Sequence, residues 1–73
     1  MPSLPSVSGS EAVRALQRLG FVIVRQRGSH IVVRKGSQGC VVPNHHQIKI
    51  GTLAGLLKQG VVSIDDFINA LNS

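Results

Sequence analysis

Apolar positions change their period twice along the chain. Between Ser8 and Gly20 they recur at helical spacing, as Val13, Leu16 and Leu19. Ser8-Gly9-Ser10-Glu11 opens this run as a capping box, in which the Ser8 hydroxyl takes the Glu11 amide while the Glu11 side chain reaches back. Gly20 supplies the stop. FVIVRQR, SHIVVRK and GCVVPN follow, rich in β-branched residues, and predict strands separated by Gly28-Ser29 and by KGSQG. Pro43 has no N–H for a ladder, so it marks the end or the edge of the third strand. From Ile50 the helical period returns. Ile50, Leu53, Leu56 and Leu57 form one stripe, with Gly60 placed as the C-terminal cap. A last helix begins at Ser63, with Asp65 and Asp66 in the first turn, where the helix dipole favours negative charge. Val62 and Phe67 are spaced as a hydrophobic staple across that start.

The order α-β-β-β-α-α predicts an α+β fold. In the second strand, alternation sends Ile31 and Val33 one way and His30, Val32 and Arg34 the other. If helices cover the Ile31 face, His30 and Arg34 share the open one. The first strand alternates poorly and assigns no faces. Residues 1–7, with two prolines and two serines, predict a flexible N-terminal tail and leave 8–73 as a single domain. Seventy-three residues form one small core, so any active site is expected to be a shallow surface rather than an enclosed cavity.

Charge narrows the choice of partner. Eight Lys and Arg stand against three Asp and Glu, a formal net charge of +5, which favours a polyanion. Neither a basic amphipathic helix nor an apolar run of roughly 20 residues points to a membrane. MPSLPSVSGS has no signal-peptide pattern. The single cysteine, Cys40, permits no internal disulfide, suits a reducing cytosol and lies in an apolar run as a small buried hydrophobe. A soluble, cytoplasmic protein is the expectation.

Several chemistries lack their residues. Metal-dependent nucleases need clustered carboxylates, and Glu11, Asp65 and Asp66 all fall at helix starts. A zinc set drawn from His30, His45, His46 and Cys40 has no supporting spacing. No metal or other cofactor is therefore expected. Gly-Ser-His is not a nucleophile elbow, and no Asp accompanies it. Metal-free RNA cleavage remains feasible, because the ribose 2′-hydroxyl is itself the nucleophile. That reaction needs a proton carrier working near neutral pH, the property of histidine, and cations for charge growing on the phosphate. RQRGSHIVVRK (residues 25–35) supplies His30 with Arg25, Arg27 and Arg34, and Lys49 lies just before the second helix. By residue type alone this signal is weak, since a histidine beside a turn is more often an ordinary surface residue.

Three motifs in register are more specific. G-F-x-x-x-R-Q-R-G-S-H (20–30), V-V-P-N-H (41–45) and G-T-L-x-x-L-L-K-Q (51–59) together resemble the HicA family of small toxins from prokaryotic toxin–antitoxin modules. The likeness runs from about Ser8 to Leu71. It implies a fold similar to the double-stranded-RNA-binding domain, with helices on one face of a three-stranded antiparallel sheet. It also implies a metal-independent endoribonuclease, an mRNA interferase that cuts messenger RNA during translation. The family's catalytic histidine, in Gly-Ser-His, falls on His30. Its partner is a HicB antitoxin that covers the site, and the pair commonly represses its own operon.

On this reading Arg25, Arg27, Ser29, Arg34 and Lys49 are the RNA-binding candidates. His45, at the family's Pro-x-His position, is either structural or a second proton-transfer group. Many relatives carry a second histidine or an aromatic after Gly-Ser-His, where this chain has Ile31, Val32 and Val33. The two aromatics, Phe21 and Phe67, both read as core, so base stacking has little support and RNA is expected to be held through its phosphates. A non-catalytic module that grips RNA or an acidic protein through the same hairpin is the alternative.

Overall fold

Helix α1 forms over Gly9–Arg18 because both halves of its capping box close. The Glu11 amide donates to Ser8 Oγ at 3.1 Å and the Ser8 amide to Glu11 Oε1 at 2.9 Å. The Ser8 amide, then its hydroxyl, hold the Glu11 carboxyl below its ordinary pKa, with help from Arg14. Ala12, Val13, Ala15 and Leu16 give the helix a buried face. At its other end Lys35 Nζ donates to the Leu19 carbonyl at 2.8 Å, and Gly20 (φ 102°) turns the chain toward the sheet. The computed structural model describes residues 3–73.

Strands β1 (Val22–Arg27), β2 (His30–Lys35) and β3 (Gln38–Pro43) pair antiparallel in the order β1-β2-β3. The same two residues close both hairpins. Gly28-Ser29 and Gly36-Ser37 are two-residue turns whose glycines take φ of 56° and 61°, a conformation that favours glycine at the first central position. Ile31, Val33, Cys40 and Val42 face the helices, while His30 and Arg34 are exposed, as alternation predicts. Helices α2 (Ile50–Gln59) and α3 (Ile64–Leu71) complete the α-β-β-β-α-α order. Leu16, Val33, Val42, Ile48, Leu53, Leu57 and Phe67 are the largest fully buried side chains between sheet and helices. No helix among the described residues is long and apolar enough to cross a membrane.

Two details depart from the sequence reading, and a third refines it. Val7 is only 6% exposed, and its carbonyl accepts the Ile48 amide at 2.8 Å. The tail expected over residues 1–7 is thus tied to the core at its end, because an apolar side chain there has a partner loop to bury against. Residues 1 and 2 lie outside those described. Ile50, placed on the buried stripe, is 47% exposed, whereas Ile48, in the loop before the helix, is 2% exposed and fills the core instead. Gly60 is the C-cap of α2, as its place in the sequence predicts, but it stays right-handed at φ −80°, and the left-handed residue is Val61 at φ 55°. A Cβ on Gly60 would crowd Phe21 Cζ at 3.3 Å and would meet Cys40 Sγ at an ordinary contact distance of 3.5 Å.

Val61 is therefore a β-branched residue held in the left-handed region with its side chain 70% exposed. That conformation costs roughly 1–2 kcal/mol, part of which glycine gives back through its freer unfolded chain. Val61→Gly is expected to raise the melting temperature by about 4 °C. A thermal melt showing no rise removes the strain from the account.

Candidate functional site

The Gly28-Ser29 turn makes Arg27 and His30 the last cross-strand pair of the first hairpin. On its other side His30 pairs with Pro43. Paired residues share a face, so Arg27, His30 and Pro43 form a row across the end of the sheet. The next row is Arg25–Val32–Val41, and Val22–Arg34–Gly39 follows. Since their neighbours Ile31, Val33, Cys40 and Val42 point into the core, all three rows lie on the open face.

A bulge decides which basic residues join His30. The β1–β2 register shifts between Ile23 and Arg25. An inserted residue reverses the face of everything beyond it. Without the shift, Arg25 would oppose Ile31 and lean toward the helix side; with it, Arg25 and Arg27 both stand beside His30. Arg25, Arg27, Ser29, His30 and Arg34 are all exposed. Between Arg25 and Arg34 the face dips into a shallow depression whose sides include Val24, Val32, Ser37 and Val41.

Not every basic side chain is free for a ligand. Lys35, the last residue of the RQRGSHIVVRK stretch, is engaged at the end of α1, and Arg18 Nη1 donates to the Ala70 carbonyl at 2.8 Å. Lys49 is exposed at the N-cap of α2, where no side chain caps the helix. It lines a second depression with Pro43, His45, Gln47, Ile48 and Thr52. A third, at the start of α1, is lined by Ser8, Ser10, Asn44, His45 and His46. His45 borders both. Lys49 and His45 are thus gathered beyond the Pro43 end of the His30 row, while Arg34 stands farther along the sheet.

The loop carrying His45 is fixed through its backbone. The Asn44 amide donates to the Ser29 carbonyl at 2.6 Å, and the Gly9 amide to the His45 carbonyl at 2.8 Å. At Gly9 an added Cβ would strike the Pro43 carbonyl oxygen and sit 2.7 Å from Asn44 Cα. Gly9→Ala is expected to lower stability by about 1–3 kcal/mol, read from the urea midpoint, as the loop is pushed off α1. An unchanged midpoint would show that the loop is not pinned there.

Among the described residues no group of three or more His, Cys, Asp or Glu could hold a metal ion. Asp65 and Asp66 lie in the first turn of α3, whose Ser63 cap accepts the Asp66 amide at 3.1 Å. Cys40 is buried, and burial pushes its thiol pKa up, away from the reactive thiolate.

A family model described as the HicA toxin of bacterial toxin-antitoxin modules matches residues 9–61. The chain belongs to the HicA toxin family. No curated protein matches it. The HicA match takes in α1, the whole sheet and α2, with His30, Lys49 and His45 inside it, and ends at Val61 before α3. Membership pairs this HicA chain with an antitoxin. Sequence reasoning missed the positioning role of Gly9 and the place of Val41 on the open face. Alternation in β2 gave the Val32 side; nothing in the local pattern announces the approach of Gly9 to Pro43.

Proposed function

We propose that this HicA-family chain is a metal-independent endoribonuclease, the toxin of a toxin–antitoxin pair, which cuts messenger RNA and so inhibits translation. The observation that supports this reading is the placement of His30: exposed at the rim of an open sheet face, paired with Arg27 on one side and with Pro43 on the other. The substrate's 2′-hydroxyl attacks the adjacent phosphorus while the His30 imidazole moves its proton. Arg27 and Arg25 stabilise the negative charge that grows on the phosphate oxygens. Arg34, Ser29 and Lys49 hold neighbouring phosphates, so binding weakens steeply with salt. The chain acts in the cytoplasm, where messenger RNA is translated, and a HicB-like antitoxin neutralises it by covering this face.

Valines between Arg25 and Arg34 supply binding surface but no reacting group, which favours a second reading. In that reading the same face only grips RNA or an acidic protein. Incubating the native chain with a long RNA in EDTA separates the two. The ribonuclease is expected to cut, leaving 2′,3′-cyclic phosphate ends, and to spare an RNA carrying a 2′-deoxy sugar at the mapped site. Binding without cutting, dependence on a divalent ion, or equal cutting of the deoxy substrate overturns the proposal.

A further inference from the structure

Cleavage through the 2′-hydroxyl moves two protons. One leaves the attacking hydroxyl, and another must reach the departing 5′-oxygen, because an alkoxide leaves poorly without it. Of the three histidines, His30 lies on the open face, and the other two are consecutive in the β3–α2 loop. The fold distinguishes these two. His46 borders the depression at the start of α1 and is not among the residues lining the one that contains Pro43. His45 also borders the depression that contains Pro43, the cross-strand partner of His30, together with Lys49 and Thr52.

Reach is sufficient. Directly opposed residues of an antiparallel pair have Cα atoms about 4.5–5.5 Å apart. Two residues of chain, from Pro43 to His45, span at most about 7 Å. The Cα atoms of His30 and His45 are therefore at most about 12 Å apart, a span that two imidazoles turned toward one another can bridge through one phosphate. Both histidines are also held by backbone rather than by their rings. Asn44 is bonded to Ser29, the residue before His30, and the His45 carbonyl is bonded to Gly9, while both side chains are exposed. A loop fixed at both points, with its imidazole left to solvent, suits a proton carrier that must be placed without being consumed by internal contacts.

We infer that His45 is the second catalytic group, the acid that protonates the leaving 5′-oxygen, in the ribonuclease reading on which this inference rests. The 2′-oxygen bonds to phosphorus as its proton passes to His30. The bond from phosphorus to the 5′-oxygen breaks, and that oxygen takes a proton from His45. The products are a 2′,3′-cyclic phosphate and a 5′-hydroxyl, and exchange with water resets both rings. RNA therefore runs from the hairpin turn across Pro43 toward Lys49, with the scissile phosphate between His30 and His45.

The test compares the native chain with His45→Gln, His46→Gln and His30→Ala on an oligonucleotide spanning the mapped site. The oligonucleotide is made once with the ordinary linkage and once with sulfur in place of the 5′-bridging oxygen. On the ordinary linkage His45→Gln is expected to lose about 10²-fold in rate, with melting temperature and RNA affinity unchanged. On the sulfur linkage it recovers to within about 10-fold of the native chain, because a thiolate leaves without needing a proton. His30→Ala stays slow on both, and His46→Gln stays near native on both.

Native-like cleavage by His45→Gln overturns the inference, as does an equal loss on both linkages or a rescue of His30→Ala in its place. Should the native chain cut neither RNA, the ribonuclease reading itself fails, which is a different result from the failure of His45 alone.

Discussion

His30→Ala is expected to lower RNA cleavage by about 10²–10⁴-fold while leaving the fold and RNA affinity near those of the native chain. The expectation rests on where the ring stands. His30 is exposed at the first position of β2, on the face away from Ile31 and Val33, so truncating it opens no cavity. Surface changes of this kind normally alter stability by less than about 0.5 kcal/mol. The turn before it is shaped by Gly28, and the ladder beside it by backbone pairing with Arg27 and Pro43. None of these needs the imidazole. The phosphate contacts proposed for Arg25, Arg27, Arg34 and Lys49 are likewise left in place, so affinity measured at one fixed salt concentration should hold. Single-turnover cleavage, a thermal melt and a binding titration on the same preparation separate the effects. Cleavage at the native rate would remove His30 from the chemistry. A loss of affinity matching the loss of rate would make it a contact for RNA rather than a proton carrier.

How much of this was readable in advance depends on how local each cause is. The start of α1 was legible because Ser8 and Glu11 close their box within one turn. The start of α3 was legible for the same reason, through Ser63 and the two aspartates. Both Gly-Ser turns, and the face of β2 carrying His30, followed from short-range rules. β1 did not. FVIVRQR fails to alternate because the shift between Ile23 and Arg25 inserts a residue, and β1 is exposed along its whole length, so selection by burial is weak. That same shift places Arg25 and Arg27 beside His30, which makes the least readable strand the one that builds the cationic rim.

Other features were set by contacts distant in sequence. Lys35 looked like one more cation of the hairpin, yet it reaches back sixteen residues to the end of α1. Ile48 takes the core position that helical spacing gave to Ile50, because the chain enters the core before the helix begins. Val61 holds the left-handed turn that glycine usually takes, while the glycine itself, Gly60, sits at the C-cap where Phe21 approaches. For the site, motif and chemistry indicated His30. The location of His45 depended on Gly9, 36 positions away along the chain.

Phe67→Ala is the change expected to cost the fold most. Phe67 is 0% exposed in α3, an element beyond the stretch matched to the HicA family. Its helix is nonetheless joined to the rest: Ala70 is buried with it in the one hydrophobic cluster, and the Ala70 carbonyl accepts from Arg18 of α1. Deleting a buried aromatic side chain costs about 3–5 kcal/mol, through lost transfer energy and the cavity left behind. A 73-residue domain has only about 4–11 kcal/mol in total. Loss of this one ring therefore removes between roughly a quarter and all of the stability. The urea midpoint should fall sharply with the slope of the transition unchanged, since the same surface is exposed on unfolding. Cleavage per folded molecule, assayed cold, should stay near native, because α3 contributes no residue to the open face. His30→Ala should show the reverse pattern, and this opposition separates the core from the site. A fall in stability below about 1 kcal/mol would mean that α3 is an appendage to a core that closes without it.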